Sequence, residues 1–203
     1  MDGARDQPLW QPSPERAVAA NLTRFAAKAG KRWNKSFSGL ADLHRWSIAA
    51  PEEFWRSVWD WGGVIAETQG KTVLRDGGKM PGAQFFPEAR LNYAENLLRK
   101  RDGSDALVFR GEDKVKRRLS WAELYDRVSQ LSQAMKADGV GPGDRVAAYL
   151  PNMPEAIIGM LAAASIGAAW SSCSPDFGVK GVLDRFGQIE PKILLVAEGY
   201  YYG

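Results

Sequence analysis

"DRVAAYLPNMPEAIIGMLAAASIGAAWSSCSPDFG", residues 144–178, decides the fold of this chain. Its first seven residues, Asp144 to Leu150, are mostly apolar and stop at Pro151, which cannot donate to a ladder; they predict a buried strand. Pro154 and Glu155 then open a helix. Proline fits the first helical turn, and an acidic residue suits the positive N-terminal end. Gly167 closes that helix, and Ala168 to Ser172 predicts a second strand. From Ala156 to Trp170, fifteen residues in succession are apolar or small. A membrane span needs roughly 18 or more. The run therefore reads as a buried helix leading directly into a buried strand.

The same alternation continues downstream. Gly178 to Ile189 has helical spacing at Val179, Val182, Leu183 and Phe186. Lys192 to Ala197, "KILLVA", predicts a further strand. A parallel strand buried on both faces is continuously apolar, and "ILLV" is. Strands alternating with helices of this length predict an α/β fold with a parallel sheet and flanking helices. Val146, Ala148, Ile157, Leu161, Ile166, Leu194 and Val196 are its expected core. Upstream, Ala106 to Arg110 and Lys114 to Leu119 predict a hairpin across a Gly-Glu-Asp turn. Ser120 and Glu123 fit a capping box. The helix behind them carries Trp121, Leu124, Val128, Leu131 and Met135 on one stripe and ends at Gly139.

Composition divides the chain at about residue 100. Six of the eight tryptophans lie in the first 61 residues. This part predicts short helices, Asn21 to Lys31 and one from Pro51, where Phe54, Trp55, Val58 and Trp59 are expected on a shared face. Residues 70 to 90 are rich in Gly and Pro and predict loop. The expected organisation is a Trp-rich helical and loop segment, 1–100, before the α/β segment, 101–203.

The chain has 203 residues, 45% hydrophobic and 25% charged, with net charge +3 and pI about 9.0. So small a surplus of positive charge does not argue for nucleic acid. The single cysteine, Cys173, forms no internal disulfide, which suits a reducing cytoplasm. The N-terminal "MDGARDQPLWQPSPER" lacks the apolar stretch of a secretory signal. A soluble cytoplasmic protein with no membrane span and no nucleic-acid partner is expected.

Open parallel sheets bind ligands outside the carboxyl ends of their strands. Pro151 to Met153, Ser171 to Gly178 and Glu198 to Gly203 occupy those positions. The bland alternative for "SSCSPDFG" is a strand-to-helix turn, and position alone favours it slightly. The glycines at 139, 141 and 143 follow a helix and precede a strand, the reverse of a dinucleotide fingerprint, and read as a turn. Cys173 has no local histidine and reads as a buried structural thiol; His44 reads as a packing or capping residue. The basic clusters at 31–32, 99–101 and 114–118 read as solvated faces. No metal-ligand spacing and no Walker phosphate loop appears.

"GLADLHRWSIAAPEEFWRSVWDW", "FFPEARLNYAENLL" and the stretch quoted first occur in that order. Together they resemble the N-terminal part of the acyl-CoA synthetases of the acyl-adenylate-forming superfamily. "WSSCSPDFG" and "EGYYYG" resemble specifically the acetoacetate–CoA ligase (acetoacetyl-CoA synthetase) branch. The resemblance covers about Pro8 to Gly203. It implies a ligation in which ATP and acetoacetate, with Mg2+, form acetoacetyl-AMP and pyrophosphate. The coenzyme A thiol then displaces AMP, giving a product used in ketone-body and lipid metabolism.

The family's phosphate loop, its adenine and ribose motifs and its catalytic lysine belong to later sequence. This chain is therefore expected to be an N-terminal fragment, inactive alone, with no catalytic or metal residue and no fully held cofactor. Alignment through Arg185 places Ser174, Pro175 and Asp176 on the loop that lines the coenzyme A channel in related enzymes. Those relatives carry glycines there. They also carry arginines after the next strand, where this chain has Tyr200 to Tyr202, so Tyr201 is a weaker candidate. Two alternatives remain open: a ligase for acetate or propionate, and a non-catalytic Trp-rich binding module.

Overall fold

The computed structural model describes residues 9–201. The N-terminal eight residues, part of the stretch read for a secretory signal, and Tyr202 and Gly203 lie outside them. The chain forms two compact units that divide after Arg90.

In the first unit α1 (Pro14–Ala19), α2 (Asn21–Trp33), α3 (Leu40–Ala49) and α4 (Pro51–Gly62) precede a loop. That loop holds two short paired strands, β1 (Leu74–Arg75) and β2 (Gln84–Phe85). The core is aromatic. Phe25, Ala29, Leu43 and Trp46 are buried, with Phe54, Val58 and Trp61 packed against them. Phe25 meets Phe54 edge-on at 6.0 Å and Trp61 at 5.9 Å, the arrangement that ring quadrupoles favour. Two indole N–H groups are satisfied: Trp33 donates to Ser57 (2.7 Å) and Trp46 to Glu53 (2.8 Å). The shared face expected on α4 is split. Phe54 and Val58 face the core, whereas Trp55 meets Phe85 at 5.4 Å and Trp59 meets Phe86 at 4.6 Å. Adjacent helical positions are about 100° apart, so neighbouring rings reach different neighbours.

The second unit begins with α5 (Tyr93–Leu97) and the hairpin β3 (Asp105–Gly111) and β4 (Val115–Ser120). There follow α6 (Trp121–Ala137), β5 (Arg145–Tyr149), α7 (Pro154–Ser165), β6 (Ala169–Cys173), α8 (Val179–Phe186) and β7 (Ile193–Val196). Both bonds of the Ser120–Glu123 capping box are present, and Gly139 has the left-handed φ of +80° beyond α6. The division falls before residue 100 because "LNYAENLL" packs on α7. Asn92 Nδ2 donates to the Ala164 and Ser165 carbonyls, each at 3.1 Å, and Ala94 is fully buried.

Three parallel strands form the sheet, in the order β6-β5-β7. Side chains alternate between faces. Val146 packs with Leu161, Ala162, Trp170, Ile193 and Leu195, which places α7 on that face. Ala147 and Cys173 pack with Phe186, Val182 and Ile189, which places α8 on the other. β5 is therefore covered on both sides, and Val146, Ala147 and Ala148 are fully buried.

Two core expectations fail. Leu194 and Val196 are 47% and 58% exposed. Their register partners are Ala147 and Tyr149, so they point to the α8 side. α8 covers β6 and β5 there, and no described element reaches over β7. Ile157 is only half-buried. Within α8, Phe186 is buried, while Val179 and Leu183 are exposed.

The amino ends of the strands are tied together. Arg145 donates to the Ile189 carbonyl at 2.7 Å and the Glu190 carbonyl at 3.1 Å. Lys192 Nζ donates to Asp144 and to the Gly139 carbonyl, both at 2.8 Å. The Lys192 ammonium, and then the Gly141 amide, hold the Asp144 carboxyl below its ordinary pKa.

Candidate functional site

The connections fix where a crevice can form. β5 is followed by α7 on one face and neighbouring β6 by α8 on the other. A topological switch point lies where the strand order reverses, and open α/β sheets bind ligands at the carboxyl ends of the strands there. In the order β6-β5-β7 that reversal lies between β5 and β7, where Tyr149 stands beside its register partner Val196. The Ser174–Phe177 turn follows β6 at the same carboxyl end of the sheet.

The turn is ordered by its own polar groups. Ser174 Oγ donates to Asp176 Oδ2 at 2.7 Å and accepts from the Asp176 amide at 3.4 Å. The Phe177 amide donates to the Ser174 carbonyl at 3.2 Å. Ser174 and Pro175 are half-buried; Asp176 is exposed. Tyr149 reaches across from β5. Its hydroxyl lies 2.6 Å from the Pro175 carbonyl and 2.9 Å from that of Phe177. On the far side, the Arg185 guanidinium sits 3.9 Å from the centre of the Phe177 ring, a cation–π contact.

Cys173, just below, is 8% exposed. Burial pushes its thiol up, with the Arg185 charge opposing. A protonated, packed thiol is a poor nucleophile, so the structural reading of Cys173 holds. The hydroxyl of its neighbour Ser174 is engaged by the exposed Asp176 carboxylate within the turn. The turn thus presents hydrogen-bonding groups and a carboxylate, a set suited to holding a ligand rather than to breaking bonds.

The other sequence candidates separate from this turn. Tyr201 lies beyond β7 and is 67% exposed. It makes no hydrogen bond to the 174–177 turn among the described residues. In the 114–118 cluster, Arg117 pairs with Glu155 at 2.7 Å and Arg118 pairs with Asp105. That neutralises much of the hairpin's positive face. The sequence reading missed Tyr149. A tyrosine closing a buried strand was the available signal, because a phenol hydroxyl in such a place needs a partner. The identity of that partner depends on the crossover, which no local pattern encodes.

Comparison with known proteins places the geometry. The model of the AMP-binding enzyme family matches residues 94–201, and that of the acetyl-coenzyme A synthetase N-terminus matches residues 40–97. The chain is 54% identical over 197 residues to the acetoacetyl-coenzyme A synthetase of Rhizobium meliloti (strain 1021), covering 97% of this chain and 30% of that protein. It is 38% identical over 200 residues to the acetoacetyl-CoA synthetase of Macaca fascicularis, covering 97% and 29%. The solved acetoacetyl-CoA synthetase from Streptomyces lividans superposes with a TM-score of 0.90 at 45% identity, covering 97% of this chain and 31% of that one. The α/β architecture is that of the matching part of the Streptomyces lividans structure. The chain spans about 30% of the length of the relatives it matches. Among the described residues no helix is long and apolar enough to cross a membrane.

Proposed function

This chain belongs to the AMP-binding enzyme family, and we propose that it supplies the N-terminal segment and the first part of the AMP-binding domain of an acetoacetate-activating ligase. The carboxylate of acetoacetate attacks the α-phosphorus of ATP and expels pyrophosphate. The coenzyme A thiol then attacks the acyl carbon of acetoacetyl-AMP and expels AMP. The observation that carries this reading is the extent of the likeness. It runs through nearly the whole chain, Trp-rich segment included, and is to acetoacetyl-CoA synthetases. The single buried thiol fits a reducing cytoplasm.

Within that reaction the 174–176 wall lines the path of coenzyme A. The donor set suits the middle of that molecule. Its pantetheine arm is neutral and offers two amide N–H donors, which the Asp176 carboxylate and Ser174 hydroxyl can accept. The phosphate end is repelled by Asp176, so it lies elsewhere. Proline at 175 and aspartate at 176 narrow an edge that related enzymes build from glycine, and the arm is held by side chains as much as by backbone. Magnesium would accompany the nucleotide. No three His, Cys, Asp or Glu side chains converge among the described residues, and no step is assigned to this chain through the ion.

The test uses the longest reading frame that contains this sequence. Asp176→Trp is expected to leave acetoacetate-dependent ATP–pyrophosphate exchange in place and to lower acetoacetyl-CoA formation by about tenfold or more. Exchange with acetate and propionate in place of acetoacetate is expected at least about tenfold weaker. Equal exchange with all three acids would overturn the assigned substrate. Loss of both half-reactions, with a lower Tm, would reduce Asp176 to a turn residue.

A further inference from the structure

The site so far contains one group with no assigned task. Tyr149 ends β5 at the switch point, and its ring packs against the small core of Ala147, Cys173 and Phe186. The ring is therefore held from below, and its rotamer is fixed by packing. The hydroxyl has a single proton, and two carbonyl oxygens share it, those of Pro175 at 2.6 Å and Phe177 at 2.9 Å. The two carbonyls flank Asp176. With both turned toward β5, the exposed Asp176 is left on the outer side of the turn. α8 grips the same turn separately, through Arg185 over Phe177, and Arg185 is itself anchored on the Gly181 carbonyl at 3.2 Å. The turn thus has two supports: one on its backbone from β5 and one on its ring from α8.

We propose that Tyr149 is a positioning residue for thioester formation: it holds the 175–177 backbone on β5 so that the Ser174–Asp176 edge meets coenzyme A at a fixed place. This rests on the coenzyme A reading of the loop. Tyr149 touches no reacting atom, and its effect is confined to the step that needs that edge. Without the hydroxyl, two carbonyls lose their shared donor and the turn pivots about the Phe177–Arg185 contact. Tyr149→Phe keeps the ring and its packing, so the change isolates the tether.

The experiment is carried out on the protein expressed from the longest reading frame containing this sequence, with and without Tyr149→Phe. Four quantities are read: acetoacetate-dependent ATP–pyrophosphate exchange, kcat and KM for coenzyme A in thioester formation, amide hydrogen exchange at Asp176 to Gly178, and Tm. The KM for coenzyme A is expected to rise about tenfold, with kcat changed less than about twofold. Pyrophosphate exchange is expected unchanged, and the amides at 176–178 are expected to exchange about tenfold faster. Unchanged amide exchange overturns the tether, whatever the kinetics. Faster amide exchange with an unchanged KM overturns the positioning role and the coenzyme A assignment of this edge. A joint fall of both half-reactions and of Tm overturns positioning in favour of a purely structural bond. A parent protein that makes no thioester refutes the proposed function before any variant is examined, and the amide exchange still reports on the tether.

Discussion

Replacing Gly159 with alanine tests how closely α7 lies on the sheet. Gly159 is buried in the middle of α7. A Cβ there would stand 2.6 Å and 2.8 Å from the Trp170 ring carbons Cη2 and Cζ3, and 3.0 Å from Leu195 Cδ1. Ordinary carbon–carbon contacts lie at about 3.5–4.0 Å, so helix and ring must separate by roughly 1 Å. Leu195 can shift a methyl group, but the indole is a flat plate packed against the main core. Two effects oppose each other. Alanine is the better helix former by about 1 kcal/mol. Overpacking a tight core costs about 1–3 kcal/mol, and contact with a rigid ring puts this site near the upper end. The net expectation is a loss of about 1–2 kcal/mol, or about 3–6 °C in Tm. Urea unfolding followed by circular dichroism measures it. The same change in a Trp170→Ala background meets no ring and becomes stabilising by about 1 kcal/mol. The cycle therefore yields a coupling of about 2–3 kcal/mol. Stabilisation by Gly159→Ala with Trp170 in place, or a coupling near zero, would refute the close helix–sheet contact.

Other expectations follow from single contacts. Ser120→Ala removes the acceptor for the Glu123 amide at 3.2 Å and is expected to cost about 1 kcal/mol in urea unfolding; no loss would mean that water replaces the cap. Glu88 is held at a pKa of about 2, first by the Thr72 hydroxyl, then by the Lys71 and Thr72 amides and the Arg75 charge. A folded pKa below the unfolded value of 4.5 means that the loop anchor is complete above that pH and is lost as pH falls toward about 2. An NMR titration of the Glu88 carboxyl should show that low midpoint, and a midpoint near 4.5 would refute the anchor. Lys192→Met removes both Nζ hydrogen bonds to Gly139 and Asp144, so the amides of β7 should exchange faster while those of β5 do not. The 203-residue chain assayed alone should release pyrophosphate only at background with acetoacetate, ATP and magnesium, because no phosphate-cradling loop occurs in it.

Most of the second unit was legible because its signals are local. Pro151, Pro154 and Gly167 mark boundaries whatever the tertiary context, and the serine and glutamate of the capping box are three residues apart. Burial of Val146 and Ala148 followed from an apolar strand between helices. Leu194 and Val196 could not be read that way. "ILLV" looks the same at the centre of a sheet and at its margin, and exposure depends on which neighbour crosses over it. The α4 aromatics failed for a related reason. Periodicity locates a stripe, but four rings in eight positions fill more than one face, and the loop carrying Phe85 and Phe86 takes the surplus.

The candidate site illustrates the same limit at higher stakes. "SSCSPDFG" is compatible with a plain turn, and each of its internal bonds would serve one. What would make it more than a turn is its place at the carboxyl end of a sheet whose order reverses beside β5, and that is a property of strand order. The carboxyl and amino ends of this sheet then divide the labour by chemistry. At the amino ends, Arg145, Lys192 and Asp144 use their charges on each other and on loop carbonyls, which fixes β5 against β7. At the carboxyl ends, a neutral phenol does the fastening and the exposed carboxylate of Asp176 is left facing outward. On the proposed reading of this turn as part of the coenzyme A path, the charge of Asp176 favours a neutral, amide-bearing segment of the ligand over a phosphate.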